Sequence, residues 1–305
     1  MVEDTRLLHT AANIILLIGM AFILLPLVIT AIVATQSYED FIAQGLSLRI
    51  GDHFWQNIKT VFTETTIPRQ ITNSVIVALL VACGKCVLAF LTAFAIVYFQ
   101  ARYGTLIFAF VLATILMPID LRVITTYQIA ANIMSPINGL MDLSGLNDLI
   151  ERLGGQRLYF ELSLLNSYIG MAAPVVAHGT GTFLFRQYLR TLPKDLARAA
   201  TLDGAGPIRF MIDIALPLSK APMAALFVLM FLGGWTQYLW PLVAASTPDM
   251  QTAVVGLARL APNLEEGIPD YPMIMTAALL VSIIPLGVTA FMQRFITYGL
   301  TLVEK

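Results

Sequence analysis

Charge is the scarcest feature of this sequence. Only 12% of its 305 residues are Asp, Glu, Lys or Arg, whereas 58% are hydrophobic, and the mean hydropathy is +0.79. A soluble domain carries roughly a quarter charged residues, so this little charge cannot cover the surface of a globular protein. The composition therefore excludes an ordinary cytosolic enzyme and a disordered chain, and it favours a polytopic membrane protein.

Several kinds of site are also disfavoured by what is missing. A formal net charge of -1 offers no concentrated basic face for nucleic acid. Two cysteines and three histidines exclude a disulfide framework and disfavour a structural metal site. Cys83 and Cys86 lie in an apolar run, where we expect them to be packing residues, and we expect the same of His178. No G-x-x-x-x-G-K-S/T sequence occurs, so the chain lacks the usual loop for binding ATP.

Long uncharged runs are what the sequence has instead. A charge at the bilayer centre costs about 2.5–3.5 kcal/mol on insertion scales, and a helix needs ~20 apolar residues to cross the hydrocarbon. Four uncharged runs are long enough, and two further runs are interrupted only by Lys85 and by Asp120 with Arg122. We predict an all-α polytopic membrane protein that forms a single domain, 1–305. Its six predicted transmembrane helices cover about 11–34, 74–99, 105–130, 162–185, 221–246 and 272–293.

The basic residues predict the orientation of these helices, because Lys and Arg are enriched in cytoplasmic loops. With both termini in the cytoplasm, the cytoplasmic segments contain ten Lys and Arg and the outer segments contain six. Most of the excess lies in segment 186–220. We therefore expect a multi-pass protein whose two termini are both cytoplasmic.

Segment 186–220 predicts two short helices outside the membrane. Pro193 and Pro207 suit the first turn of a helix, since the missing proline N–H would be unpaired there. Gly204 can adopt the left-handed conformation that ends a helix, and Pro217 is expected to stop the second helix. Apolar residues recur at helical spacing along both helices. This apolar surface fits a groove on a soluble partner or the underside of the chain's own helices, and the pattern leaves both open.

The same segment resembles a known family, the permease subunits of ABC importers. Their E-A-A-x-x-D-G-A…F…I-x-L-P loop is similar to a run found here, Ala199-Ala200-x-x-Asp203-Gly204-Ala205, then Phe210, Ile214 and Leu216-Pro217-Leu218. The resemblance extends from about residue 71 to the C-terminus. Among the permeases of the carbohydrate-uptake class, the chain most resembles the second permease subunit of glycerol-3-phosphate importers.

The resemblance implies a subunit of the bacterial inner membrane that is not an enzyme and needs no cofactor of its own. Its implied partners are a second permease, a pair of ATPase subunits that bind ATP and Mg, and a periplasmic or lipid-anchored substrate-binding protein. In this family the loop forms coupling helices that sit in a cleft on the ATPase. The coupling positions carried over to this chain are Leu196, Arg198, Ala199, Ala200, Asp203, Gly204, Ala205, Phe210 and Ile214.

One position departs from the family pattern. Arg198 stands where the family usually has Glu, which reverses a charge at the start of the motif. If that Glu pairs with a basic group on the ATPase, this chain needs an altered partner surface or relies on apolar packing.

Four polar residues are candidates for the substrate path. Lys85 lies about eleven residues into the second span, and Arg122 lies near the outer end of the third, where a guanidinium can steer a phosphate. Gln237 and Tyr238 lie in the fifth span beside tryptophans. Each has an ordinary alternative, because Lys85 can tie two helices together and Arg122 can pair with Asp120 or reach the interface. Tyr238 can belong to an interfacial aromatic belt.

The outer segment 135–162 is longer than we expect in such a subunit. Its apolar residues fall at helical spacing and predict an extra helix outside the membrane. They are Leu143, Leu146, Leu149, Ile150 and Leu153. The sequence does not indicate what this helix does.

The expected function is transport of glycerol-3-phosphate or a glycerophosphodiester, with this chain forming half of the path. An oligosaccharide permease of the same class is the nearest rival. An ion-coupled secondary transporter is a more distant one, since it usually shows an internal repeat and interrupted helices near mid-bilayer, and we find no repeat. A membrane-embedded enzyme would need clustered His, Asp or Glu at membrane depth, where only Asp120 qualifies.

Overall fold

Helices form nearly all of the regular structure. The computed structural model describes residues 6–99, 102–176, 179–260 and 268–301, and no strand occurs within those ranges. The predicted packing role of His178 and the predicted cytoplasmic ends 1–5 and 302–305 lie outside the described residues. In chain order the α-helices are α1 (Arg6–Val33), α2 (Tyr38–Gln44), α3 (Phe54–Glu64), α4 (Ile67–Tyr98), α5 (Gly104–Ala113), α6 (Val123–Ala131), α7 (Ser135–Leu143), α8 (Leu146–Arg152), α9 (Tyr168–Val176), α10 (Thr180–Thr191), α11 (Lys194–Leu202), α12 (Pro207–Phe210), α13 (Leu216–Leu218), α14 (Lys220–Trp235), α15 (Leu239–Ala244), α16 (Ala253–Leu260) and α17 (Tyr271–Thr301).

Three helices in the described part of the chain are long and apolar enough to cross a membrane. They cover Leu8–Val33, Ile67–Tyr98 and Tyr271–Gln293, and they correspond to the first, second and sixth spans predicted from the sequence. The other apolar segments are divided into shorter helices, so the total of six spans stays a prediction.

The third predicted span, 105–130, is sharply bent rather than continuous. Its two parts, Gly104–Leu116 and Asp120–Ala131, meet at 84°. Pro118 lies at the bend with an extended backbone. Because a proline has no N–H and clashes with the carbonyl four residues earlier, the helix ends before it. A count of apolar residues does not detect this break.

The fourth and fifth predicted spans are interrupted as well. Within 162–185 the chain is extended at its start, where Leu164 N–H donates to Ala130 O at 2.8 Å, and α9 begins only at Tyr168. Within 221–246, α14 ends at Trp235 and α15 begins at Leu239. Pro241 accounts for the second break, because its ring excludes a helical carbonyl at position 237.

The chain divides into two compact units, 1–69 with 256–284 and 70–255 with 285–305. In the first unit, polar side chains pin the segment that follows α1. Gln36 Nε2 donates to Ser47 O at 2.7 Å and to Arg49 O at 2.8 Å. Asn57 Nδ2 donates to Ala34 O at 3.0 Å. In the most apolar part of α1, no residue is buried against the rest of the described chain. Lipid or another subunit must therefore cover this surface.

The core of the second unit forms where α4, α10 and α14 cross. A Cβ atom at Gly181 would lie 2.7 Å from Ala89 Cβ and 3.0 Å from Leu226 Cδ2, so only glycine allows α10 to approach so closely. Beside this contact the rings of Phe90 and Phe185 pack edge to face, with centroids 5.5 Å apart. This core holds the loop 186–220 described below.

Segment 135–162 forms two short helices, α7 and α8, followed by an extended return segment. Three buried asparagines on the helical side hold the return segment. Asn138 donates to Phe160 O at 2.8 Å and accepts from Phe160 N–H at 2.9 Å. The Asn147 side chain likewise donates to Leu158 O and accepts from Leu158 N–H. The Asn132 side chain donates to Phe160 O and accepts from Leu162 N–H. The single extra helix predicted here is therefore a helical pair, divided at Gly145, whose φ is +73°.

Replacing Asn138 with Ala is expected to loosen the attachment of the extended return segment to α7 and α8. The change removes two hydrogen bonds and leaves the Phe160 amide and carbonyl without them, which costs about 2 kcal/mol locally. Hydrogen exchange of residues 158–162 should accelerate accordingly. Ser144→Ala is the control, because its exposed hydroxyl bonds only Met141 O. Unchanged exchange in the Asn138 variant would show that the asparagine contacts do not hold the segment.

Candidate functional site

The first helix of the loop 186–220 is α11, and its end is fixed by Gly204. Ala205 N–H donates to Ala200 O at 2.8 Å, and Gly204 N–H donates to Thr201 O at 3.1 Å. This pair of bonds, with Gly204 at φ +74°, is the Schellman arrangement that ends helices in glycine. The turn predicted from the sequence is present, and it reverses the chain toward the second helix.

The second helix runs without a break from Pro207 to Leu218. It contains a π-helical turn, Met211–Ala215, after which Leu216 N–H bonds Met211 O. The wider turn suits Pro217, which has no N–H to donate to an ordinary helical partner. Pro217 was expected from the sequence to stop the helix, but the helix reaches Leu218 and then meets α14 at a bend of 74°.

One face of the loop packs against the core of the second unit. Ala200, Phe210 and Ala215 are 5%, 7% and 1% exposed, within the cluster that contains Phe94 and Phe185. The Phe210 ring centroid lies 6.2 Å from that of Phe94. Part of the apolar surface predicted for segment 186–220 is therefore buried against the chain's own helices.

A tyrosine secures the end of the second helix to α10. The Tyr188 hydroxyl donates to Leu218 O. Partial burial raises the pKa of Tyr188 above its ordinary value, so the hydroxyl stays protonated and remains a donor through the neutral range. The loop is thus attached to the rest of the unit at its apolar face and at its end.

The opposite face of the loop exposes apolar side chains that none of the described residues covers. Leu202 is 89% exposed, Ile208 69% and Ile212 52%. Ile208 and Ile212 are one helical turn apart and therefore share a face. Ile208 and Ile212 are among the apolar residues that recur at helical spacing in the sequence, but neither they nor Leu202 were included in the predicted coupling positions. We call these three residues the outward face.

Some of the residues predicted to couple to the ATPase are buried inside the chain and others are exposed. Ala200 and Phe210 are buried, and Leu196, Ala205 and Ile214 are half-buried against the same cluster. The exposed ones are Arg198, Ala199, Asp203 and Gly204.

Arg198, the residue that departs from the family pattern, has a partner within its own helix. Its Nη1 lies 3.2 Å from Asp195 Oδ1, and both side chains are exposed. Such a pair contributes little to stability, so Arg198 stays accessible to a partner surface.

The structure places Arg122 directly after the bend in the third span. Its Nη2 donates to Pro174 O at 3.4 Å, a long hydrogen bond. Its Nε is buried without a partner among the described residues. No ion pair joins Arg122 to Asp120 within those residues, so the pairing considered from the sequence is not formed. The guanidinium therefore retains donors for another group.

Gln237 and Tyr238 lie in the non-helical connection between α14 and α15 rather than on a helix face. The 3₁₀ turn that carries Arg122 contacts α15, and so does α9. The turn that carries Arg122 therefore packs against the helix that follows the 236–238 connection. The tryptophan beside them is structural, since Trp240 is fully buried and donates to Met171 O at 3.1 Å.

Lys85 lies on the packed face of α4. It is half-buried, one turn from the buried residues Val81 and Ala89. Its ammonium makes no hydrogen bond or ion pair with any described residue, so the helix tie considered from the sequence is not formed there.

An all-helical chain with long apolar helices, interrupted helices and a two-helix loop at their ends defines a membrane transport permease. The chain matches the family described as binding-protein-dependent transport system inner membrane component, over residues 66–298. It belongs to that family and is a permease subunit of an ABC importer.

Relatives are similar over their full length. The chain is 34% identical to the sn-glycerol-3-phosphate transport system permease protein UgpE of Agrobacterium fabrum (strain C58), and 35% identical to the protein of the same name from Yersinia pestis bv. Antiqua (strain Antiqua). Each match covers 100% of both chains.

The fold is also similar to that of solved structures. A bacterial ABC transporter involved in the import of the acidic polysaccharide alginate matches with a TM-score of 0.66 at 15% identity, over 97% of each chain. The same kind of transporter with an alginate pentasaccharide-bound periplasmic protein gives 0.62 at 16% identity, covering 95% of this chain and 94% of that one. At this identity the likeness concerns the fold alone.

Proposed function

We propose that this chain forms half of a translocation path for glycerol-3-phosphate or a glycerophosphodiester. The observation that carries the proposal is the full-length identity of 32–35% to permeases named for glycerol-3-phosphate transport. The position of Arg122 supports it, because a guanidinium with unused donors suits a phosphate group. Gln237 and Tyr238, in the non-helical connection between α14 and α15, offer hydrogen bonds to a polyol.

The loop 186–220 is the proposed link to ATP hydrolysis. A pair of ATPase subunits that hold ATP and Mg docks on the outward face, one subunit on this chain and one on a second permease. Closure of the ATPase pair draws the two loops together. The attachment of the loop to α4 and α10 through Phe210 and Tyr188 then carries that movement into the membrane helices.

The remaining partners follow from the same proposal. A periplasmic or lipid-anchored binding protein delivers the substrate on the outer side, and both termini of the permease lie in the cytoplasm. Interrupted helices do occur here, as they do in secondary transporters, but full-length membership in the importer family favours the ATP-driven mechanism. This subunit carries out no covalent chemistry in the proposed cycle.

ATPase stimulation tests the substrate. The permease pair, its ATPase and its binding protein would be reconstituted in vesicles and supplied with glycerol-3-phosphate, glycerophosphocholine or maltose. We expect several-fold stimulation by the phosphate esters and none by maltose. Stimulation by maltose alone would reject the phosphate-ester path in favour of an oligosaccharide importer.

A further inference from the structure

An open groove of about 940 Å³ lies in the second unit beside the loop 186–220. Its walls come from the end of α4, the first turn of α5 and the passage from α10 into α11. The apolar span of α4 ends at Tyr98, and the next apolar segment begins at Gly104. The groove therefore lies where hydrocarbon gives way to the headgroup region.

The groove is strongly cationic. Its described lining includes four basic side chains and no acidic one, namely Arg186, Arg190, Lys194 and Arg198. Arg198 is paired with Asp195. Arg190 and Lys194 are exposed and make no hydrogen bond or ion pair with any described residue. A cavity with this charge favours an anion.

Arg186 is held in place on one side only. Its guanidinium carbon lies 4.0 Å from the centroid of the Phe108 ring, a cation–π contact that fixes the plane of the group. Its Nε is buried without a partner among the described residues. The side chain is thus ordered by an aromatic ring and still lacks a hydrogen-bond acceptor.

The inner wall of the groove is apolar. Phe94 and Leu189 are buried there, and Val97 and Leu192 are partly buried beside them. A small inorganic anion would use only the cations and leave this wall in contact with water. A ligand that has an anionic head joined to an alkyl part uses both surfaces.

We propose that this groove binds an anionic phospholipid, with the phosphodiester among Arg186, Arg190 and Lys194 and the first acyl carbons against the apolar wall. Basic pockets between membrane helices at this depth are suited to acidic headgroups. A bound lipid would brace the passage from α10 into α11, where the coupling loop leaves the membrane.

Native mass spectrometry of the full-length chain in detergent tests this site. The probes are phosphatidylglycerol, phosphatidylcholine and inorganic phosphate. The test variant is Arg190→Gln/Lys194→Gln, and the matched control is Arg209→Gln/Lys220→Gln, which removes two exposed charges from the same loop outside the groove. We expect the wild type to retain phosphatidylglycerol in preference to phosphatidylcholine, and the test variant to bind it about tenfold more weakly or worse.

The other outcomes overturn the proposal. Equal loss in both double variants would mean a general charge effect. Equal retention of the two lipids would mean that the headgroup is not recognised. Displacement of phosphatidylglycerol by an equal concentration of inorganic phosphate would mean a free-anion site, and loss of lipid only when the ATPase is added would mean that the groove belongs to that interface. None of these outcomes depends on which substrate the importer carries.

Discussion

Replacing Ile208 with Asp is expected to detach the ATPase from this permease and leave the permease folded. Ile208 is 69% exposed at the start of a helix that begins with Pro207, where an added carboxylate is favourable. In the proposed interface the same carboxylate would be buried without a partner. Loss of an interface anchor costs about 2 kcal/mol or more, so we expect at least about thirtyfold less ATPase to co-purify.

Two comparisons make this result specific. Leu143→Asp places the same charge at the end of α7, on an apolar residue that is 89% exposed. This change should not affect co-purification. Ala200→Asp places the charge in the buried cluster, which costs several kcal/mol, so it should lower the melting temperature of the permease itself. Full retention of the ATPase by the Ile208 variant would remove the outward face from the proposed mechanism.

The contrast between Ala200 and Ile208 shows what the sequence could and could not predict in this loop. The helices and the turn at Gly204 depend on local rules for proline and glycine, and both are present. Which apolar side faces inward depends on the distant residues Phe94 and Phe185, with which Ala200 and Phe210 share a cluster. Both faces of each short helix carry apolar residues, so local spacing alone cannot show which face is buried.

The membrane segments divide in the same way. Long runs with few or no charges located the helices α1, α4 and α17, because a charge near the bilayer centre is costly and such runs can be recognised without knowing the fold. The breaks near Pro118 and Pro241 fall inside two of the predicted spans, 105–130 and 221–246, and a count of apolar residues does not reveal them. Whether a proline bends a helix or ends it depends on what else can bond the freed carbonyls, and that is set by neighbouring helices.

The polar contacts were the least accessible to sequence reasoning. Arg122 bonds the carbonyl of Pro174, a residue 52 positions away. Asn138 and Asn147 gave no signal of their own, since isolated asparagines are common in turns. Their role depends on an extended segment lying beside them, which becomes visible only when the chain is folded.

Replacing Arg122 with Gln is expected to slow uptake of an anionic substrate about tenfold or more without unfolding the permease. Gln is too short to keep the hydrogen bond to the Pro174 carbonyl, but that bond is long at 3.4 Å and its loss costs little stability. The substitution also removes the positive charge, and a hydrogen bond to a charged group contributes about 1.5–3 kcal/mol. Initial uptake rates of glycerol-3-phosphate, measured with saturating binding protein, give the loss directly. The melting temperature of the variant should match that of the wild type.

Arg122→Lys distinguishes charge from geometry at this site. If the path requires a cation at position 122, Lys restores most of the uptake that Gln loses. If Arg122 serves only to hold α9, uptake should follow the melting temperature in both variants. Arg152→Gln, at an exposed arginine at the end of α8, controls for the loss of one positive charge from the chain. Normal uptake in the Gln variant would exclude Arg122 from the substrate path. An anion that passes close to an unpaired guanidinium is attracted by its charge, so removing that charge should change the uptake rate.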